Sequence, residues 1–207
     1  MDSSVVLNLF AKLETTCKVT LIKPQRRVLK ELFRVLLAFR GRATFVNLAR
    51  YSVRHEQTFR RHFERFFDWV GFNLAILRLR VRPLGPLVGV FDCSLLPKGG
   101  TKTYGVDRFF CSRAGPEQGL EVSLLGIVAT ESRRATVLDA TQTPAGLSVP
   151  ATEAATSYTR MDFYLEQVVD VLRRLDRQPR SPEVAYWIGD GKRSGRSSMV
   201  LKPKDAI

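Results

Sequence analysis

The hydrophobic period of this chain changes once, near residue 83, and that change limits the fold more than any single motif. Upstream, apolar residues recur every three to four positions, the repeat of helices that bury one face. Downstream they fall in short apolar or alternating runs, the pattern of strands. With 207 residues, 44% of them hydrophobic, the chain has apolar material for one core or two small ones. The expected class is α+β. An all-helical region spans 1–82, a mixed-sheet α/β region 83–190, and a divergent basic tail 191–207.

In the first region, Pro24 opens a helix over "KPQRRVLKELFRVLLAFRG", with Val28, Leu32, Val35, Leu36 and Phe39 on one face and Gly41 as its stop. "TFVNLARYS" reads as a short helix N-capped by Thr44, and the pattern breaks at Ser52-Val53. One further helix is expected over "RHEQTFRRHFERFFDWVGF", with a stripe of Phe59, Phe63, Phe66, Phe67 and Val70. Arg60, Arg61 and Arg65 fall largely off that stripe. Helix, short helix, break and basic helix fit a helix-turn-helix, in which the stripe anchors the last helix and its cationic side, with Arg54, meets phosphates. A plain helical bundle with a solvated basic face fits the same pattern.

Charge favours the first of these. The formal net charge is +13, and residues 1–82 hold 17 Lys and Arg against 6 Asp and Glu. Residues 83–190 hold 11 against 13, and the last seventeen hold 5 against 1. So uneven an excess points to a polyanion, nucleic acid before a membrane surface. Cys17, Cys93 and Cys111 have no paired metal-ligand spacing and read as free thiols of a reducing compartment. The start lacks the basic-then-apolar form of a signal peptide, and no stretch reaches the ~20 apolar residues of a membrane span. A soluble cytoplasmic protein is expected.

In the second region Leu87–Phe91 is a short buried strand that stops on Asp92. Gly99-Gly100 turns a hairpin whose second arm is "TKTYGVDRFF". "GLEVSLLGIVAT" and "RRATVLDATQT" are further strands. "YTRMDFYLEQVVDVLRRLD" is a helix with Met161, Leu165, Val168, Leu172 and Leu175 inward, and "EVAYWIGD" is an apolar strand ending on Asp190. Three antiparallel strands, a crossover helix and a strand parallel to the first describe a ribonuclease-H-like sheet. Asp92 and Asp190 would then emerge from neighbouring strand ends, as a pair of hard oxygen ligands for Mg2+ (or Mn2+). Either aspartate by itself reads first as a turn residue, and it is the two together, at corresponding strand ends, that favour the ligand pair.

The blocks "FDCSLLPKGGTKTYGVDRFF", "GLEVSLLGIVAT" and "DATQTP", with "ARYS…EQTFRRHFERFFDW" upstream, resemble bacterial insertion-sequence transposases of the DDE type, from about residue 41 to 190. The resemblance implies that Asp92 and Asp190 are the first two catalytic, metal-holding aspartates. It implies metal-dependent cleavage and strand transfer of transposon DNA ends, and a helical part that binds double-stranded DNA at those ends. Lys98 and Lys102 would lie where a DNA backbone passes, or else remain solvated hairpin lysines. A bacterial, nucleoid-associated location and a dimer on DNA are compatible with it.

The family's third carboxylate sits on a helix beyond the second aspartate. Here "GKRSGRSSMVLKPKDAI" follows Asp190 and holds no Glu, so a truncated, inactive copy is expected. Glu166 and Asp162 are poor substitutes, roughly 150° and 110° from the centre of the helix's apolar stripe, and Asp205 lies in the tail. A non-catalytic DNA-binding protein that competes for transposon ends is the alternative. An RNA-associated basic protein is a third reading.

Overall fold

The computed structural model describes residues 3–16, 21–81, 85–100, 103–111, 115–147, 158–178, 183–189 and 199–201. Five helices come first: α1 (Ser3–Thr16), α2 (Lys23–Ala38), α3 (Phe45–Arg50), α4 (Glu56–Phe63) and α5 (Trp69–Arg80). Strands β1 (Leu87–Pro97), β2 (Asp107–Cys111), β3 (Gly115–Ala129) and β4 (Arg134–Gln142) follow, then α6 (Arg160–Asp176), β5 (Val184–Gly189) and β6 (Met199–Leu201). The fold is mixed α+β. Its contacts divide into two units, Met1–Asp68 with Ala75–Arg80, and Trp69–Leu74 with Val81–Ile207. Helix α5 thus supplies residues to both. Among the described residues no helix is long and apolar enough to cross a membrane.

The helical unit is built on apolar residues at helical spacing. Val28, Leu32 and Val35 of α2 pack with Leu48 of α3 and Phe59 of α4, and Phe39 and Phe45 close the cluster. Each fully buried side chain of this kind is worth ~1.5–3 kcal/mol over leaving it in water. Thr44 caps α3 by accepting the Asn47 N–H at 3.2 Å. Asn47 in turn donates to the Arg40 and Arg42 carbonyls at 2.8 and 2.9 Å, which closes the α2–α3 loop. Gly41 stands in that loop at φ +89°, a left-handed backbone that glycine adopts without a Cβ clash. It is not the stop of α2, which ends at Ala38 with Phe39 already extended.

Three readings of this region need correction. A first helix, α1, buries Val6, Phe10 and Leu13 at i, i+4 and i+7, where no element was expected. The long basic helix is two helices. Helix α4 ends at Phe63, with Glu64 as C-cap, and α5 begins at Trp69. The Phe stripe is therefore cut: Phe59 is buried, whereas Phe63 and Phe66 are 55% and 73% exposed. Asp68, directly before α5, is the residue type that starts helices.

Among the described residues the sheet has six strands, in the order β2-β3-β1-β5-β6, with β4 also paired to β3. Strand β1 runs antiparallel to β3 from Leu87↔Ala129 to Pro97↔Gly119. On its other side β1 runs parallel to β5, ending at Phe91↔Gly189. The expected β1–β2 hairpin does not form. Strand β2 pairs with the first part of β3, Asp107↔Gly119 to Cys111↔Gly115, and β4 pairs with the rest. At 15 residues β3 is long enough to serve both partners, an option local sequence could not reveal. Strand β6 pairs antiparallel with β5 through Trp187↔Leu201 and Gly189↔Met199, so Met199–Leu201 of the supposed tail continue the sheet.

Helix α6 is fixed at its start by a reciprocal cap: Thr159 N–H and Oγ lie 2.8 and 2.6 Å from Asp162 Oδ2, and Asp162 N–H donates back to Thr159 Oγ at 3.3 Å. Its buried face is Gln167, Val168, Val171 and Leu175, while Met161 is 49% exposed. The face is rotated from the apolar stripe because polar groups on the sheet draw Tyr164 and Gln167 inward. Ser123 Oγ lies 2.5 Å from Gln167 Oε1, Gln167 Nε2 donates to Asp139 at 2.8 Å, and the Tyr164 hydroxyl donates to buried Glu121.

Candidate metal and nucleic-acid sites

Asp92 lies inside β1, not at its end, since the strand runs five residues further to Pro97. What ends at Asp92 is the described parallel pairing: Phe91 is the last residue of β1 matched to β5, opposite Gly189. Asp92 and Asp190 are the next positions along the two strand directions. Asp190 itself lies outside the described residues, as does Lys102. Asp92 is exposed and takes part in none of the ion pairs found among the described residues.

The face that Asp92 occupies follows from register. Its partner on β3 is Leu124, which alternates with buried Ser123 and Leu125 on the α6 side. Phe91 meets the Tyr164 ring of α6 at 5.0 Å. Asp92 therefore points away from α6, onto the face of half-buried Val122, Leu124 and Val128. On the opposite face Gly89 is obligatory, because a Cβ there would stand 2.2 Å from the Trp187 ring. The two strands meet closely at this point because one partner has no side chain.

Of the two expected metal ligands, Asp92 and Asp190, only Asp92 lies among the described residues. No group of three His, Cys, Asp or Glu that could hold a metal is found among them. Asp162 is consumed by the α6 cap, whose Thr159 hydroxyl and N–H hold its carboxyl below the usual range. Glu166 is exposed on α6 and accepts from the Tyr158 hydroxyl at 2.5 Å, a bond that pushes the phenol up to about 12. Asp205 lies outside the described residues. A carboxylate on this sheet face is a hard oxygen donor of the kind Mg2+ takes, one or two at a time with water and phosphate oxygens completing the shell. Asp92 fits that use, and a second donor would come from Asp190.

The cationic residues lie mainly in the helical unit. Arg61 and Arg65 are exposed and Arg54 is half-buried in the α3–α4 turn. Arg60 is engaged within the unit: its guanidinium sits 5.1 Å from the Phe45 ring centroid and 3.7 Å from Glu56. Lys98 is exposed just beyond β1, with its backbone N–H on the Gln118 carbonyl.

Sequence reading overlooked the group that shapes this surface. Glu31 of α2 takes Arg34 in a two-point bond at 2.9 and 2.7 Å, and also accepts from Ser52 Oγ at 2.6 Å and Val53 N–H at 3.2 Å. Arg34 reaches the Tyr51 carbonyl at 3.0 Å, and Ser52 Oγ receives the Arg54 N–H at 2.9 Å. The Arg34 bond, helped by Ser52 and Val53, holds the Glu31 carboxyl down at about 2 against the opposing effect of burial. One carboxylate thus fastens the α3–α4 turn to α2. The only signal in the sequence was the i, i+3 Glu-Arg spacing.

Comparison with known proteins adds no neighbour: no family model, no curated protein and no solved structure matches the chain.

Proposed function

We propose that this chain is a DDE-type transposase derivative. Its helical unit binds double-stranded DNA, and its ribonuclease-H-like sheet carries Asp92 and Asp190 as a pair of metal ligands. The observation that carries this reading is the parallel register of β1 and β5. Phe91 lies opposite Gly189; these two residues immediately precede Asp92 and Asp190 and are nearly a hundred positions apart in sequence. Bound Mg2+ or Mn2+ would supply electrostatic stabilisation to a phosphoryl-transfer reaction. The chain's part is to present two carboxylates on a rigid sheet face and to bring DNA by its basic helices. Within that unit α2, α3, the clamped turn and α4 have the order of a helix-turn-helix, with α4 as the helix against DNA.

A specific observation favours the non-catalytic form of this reading. Asp162 and Glu166, the α6 carboxylates weighed as substitutes for a third metal ligand, are spent on a helix cap and on Tyr158. We therefore expect DNA binding with negligible strand cleavage by this chain, the behaviour of a protein that occupies transposon ends.

Two measurements test the proposal. Binding to a labelled duplex should fall steeply with salt, because neutralised phosphates release counterions; salt-insensitive binding, or tighter binding to single-stranded RNA, would sink the DNA reading. Calorimetric titration with Mn2+ should show one binding event lost in both Asp92→Asn and Asp190→Asn. If each variant binds Mn2+ like the parent, the metal pair does not exist.

A further inference from the structure

Register sorts charge across the sheet. Glu117 and Glu121 of β3 alternate with the residues that share the Asp92 face, and so stand on the α6 side. Asp107, opposite Gly119, and Asp139, opposite Leu125, fall on that side too, and α6 bonds Glu121 and Asp139 there through Tyr164 and Gln167. Arg108 and Lys98 take the other face. Arg108 pairs with Gln118 of β3, while Phe109 after it is buried beneath the Arg160 guanidinium of α6, 4.5 Å from the ring centroid. Lys98 prolongs β1 by donating its N–H to the Gln118 carbonyl at 3.3 Å. Arg108, Gln118 and Lys98 thus form one row across three adjacent strands, and all three are exposed. The row lies about 20 Å along β3 from Leu124, the partner of Asp92.

An aromatic residue is fixed between the row and Asp92. Gln142 of β4 pairs with Val122, which lies between Leu124 and Gln118 along β3, and its Nε2 donates to the Tyr104 carbonyl at 3.1 Å. The Val106 N–H bonds the Thr103 carbonyl at 3.3 Å and closes a turn. Within it Gly105 stands at φ +79°, where an added Cβ would strike the Gln142 amide. The turn is tied to the sheet, yet Tyr104 is 89% exposed, so its ring is not spent on packing.

We infer that the Asp92 face of the sheet holds an unpaired DNA strand, with Lys98 and Arg108 on its phosphates and Tyr104 stacked on one of its bases. The inference rests on the DNA-binding reading above and gives it a second contact surface, in the sheet unit. Cations that follow a backbone and an aromatic ring open to a base are the two elements of single-strand recognition, and neither selects a sequence. A duplex hides its base faces in its own stack, so only an unpaired strand can use the ring. The near-neutral composition of residues 83–190 conceals this surface, because the balancing carboxylates stand on the α6 side.

Fluorescence anisotropy of the full chain, with EDTA present, compares a labelled blunt duplex with the same duplex carrying a 3′ extension of about ten nucleotides. The parent should bind the extended duplex more tightly. Tyr104→Ala should lose between about fivefold and about 150-fold on the extended duplex and bind the blunt one as the parent does. Tyr104→Phe, which keeps the ring, should match the parent on both. Lys98→Gln with Arg108→Gln should lower the slope of log affinity against log salt by about 1.4 on the extended duplex, and by less on the blunt one. Parent-like binding of the extended duplex by Tyr104→Ala or by the double variant overturns the inference, as do equal losses on both DNAs. A parent that binds both DNAs equally overturns it too, while leaving the duplex reading intact. Binding of neither DNA removes both.

Discussion

The helical unit and the sheet unit solve the same problem, holding a charged group where water can reach it, by different means. In the helical unit the charge is numerous and the local backbone is irregular. Its order comes from a few polar anchors: Glu31 on the α3–α4 turn, Asn47 on the α2–α3 loop, Thr44 and His55 at helix starts. In the sheet unit one carboxylate is at issue and the backbone is regular. Asp92 is held by its pairing with Leu124 of β3, one residue beyond the last β1–β5 pair, and the polar network of Glu121, Ser123, Asp139, Tyr164 and Gln167 serves to seat α6. The difference teaches where each unit is fragile. Removing an anchor should loosen the turns of the first while its Phe59-centred core holds; in the second, disturbing packing should be needed to reshape the strands.

The largest expected effect breaks the helical unit outright. Phe59→Ala removes a fully buried ring from its central cluster and should cost about 3–5 kcal/mol. Urea denaturation followed at the two tryptophans and by circular dichroism should show helical signal lost early. Strand signal lost in the same early transition would mean that the units do not have separate cores.

Acid sharpens the comparison next. Glu31 is held far below its ordinary value of 4.5, at about 2. Its contribution, up to about 3 kcal/mol, is complete above pH 4.5 and is lost as pH falls through about 2. Glu31→Gln should remove most of the acid sensitivity of helical content; an unchanged acid midpoint would deny the clamp its role.

In the sheet unit the corresponding stress is steric. Gly89→Ala forces a methyl against the buried Trp187 ring and should cost about 1–3 kcal/mol, with a shift in tryptophan emission. A neutral result would mean that β1 and β5 separate easily, which would count against the proposed Asp92–Asp190 metal pair. Smallest, Thr44→Ala and Thr159→Ala each remove one cap and should cost about 1 kcal/mol. The first should alter duplex affinity and the second should not.

Much of the element order was readable in advance. The α2 and α3 segments, the Thr44 cap, β3, β4, α6 and β5 follow from period and cap residues. Errors arose where a local pattern had two partners to choose from. Gly99-Gly100 looks like a hairpin turn, yet β1 extends to Pro97 and takes β3 as its partner. The aromatic run from Phe59 to Val70 satisfies a helical repeat throughout, yet α4 ends at Phe63, a new helix begins at Trp69, and Phe63 and Phe66 stay exposed. Met161 sits at a helical inward position, yet the Thr159–Asp162 cap places it on the first turn, outside the buried face.

The sequence by itself determined the division of labour: a basic helical part, a near-neutral part made of strands and one crossover helix, and aspartates at the ends of two apolar runs. Side-chain chemistry and periodicity are local properties, so they are legible without a structure. Only the tertiary structure decided which strands pair, that Phe91 lies opposite Gly189, and that Glu31 reaches across about twenty residues to the turn beyond α3. Those are contacts between distant segments, chosen by competition among many acceptable local patterns. The energy that selects them arises when the packed whole excludes water from one arrangement and not from the others.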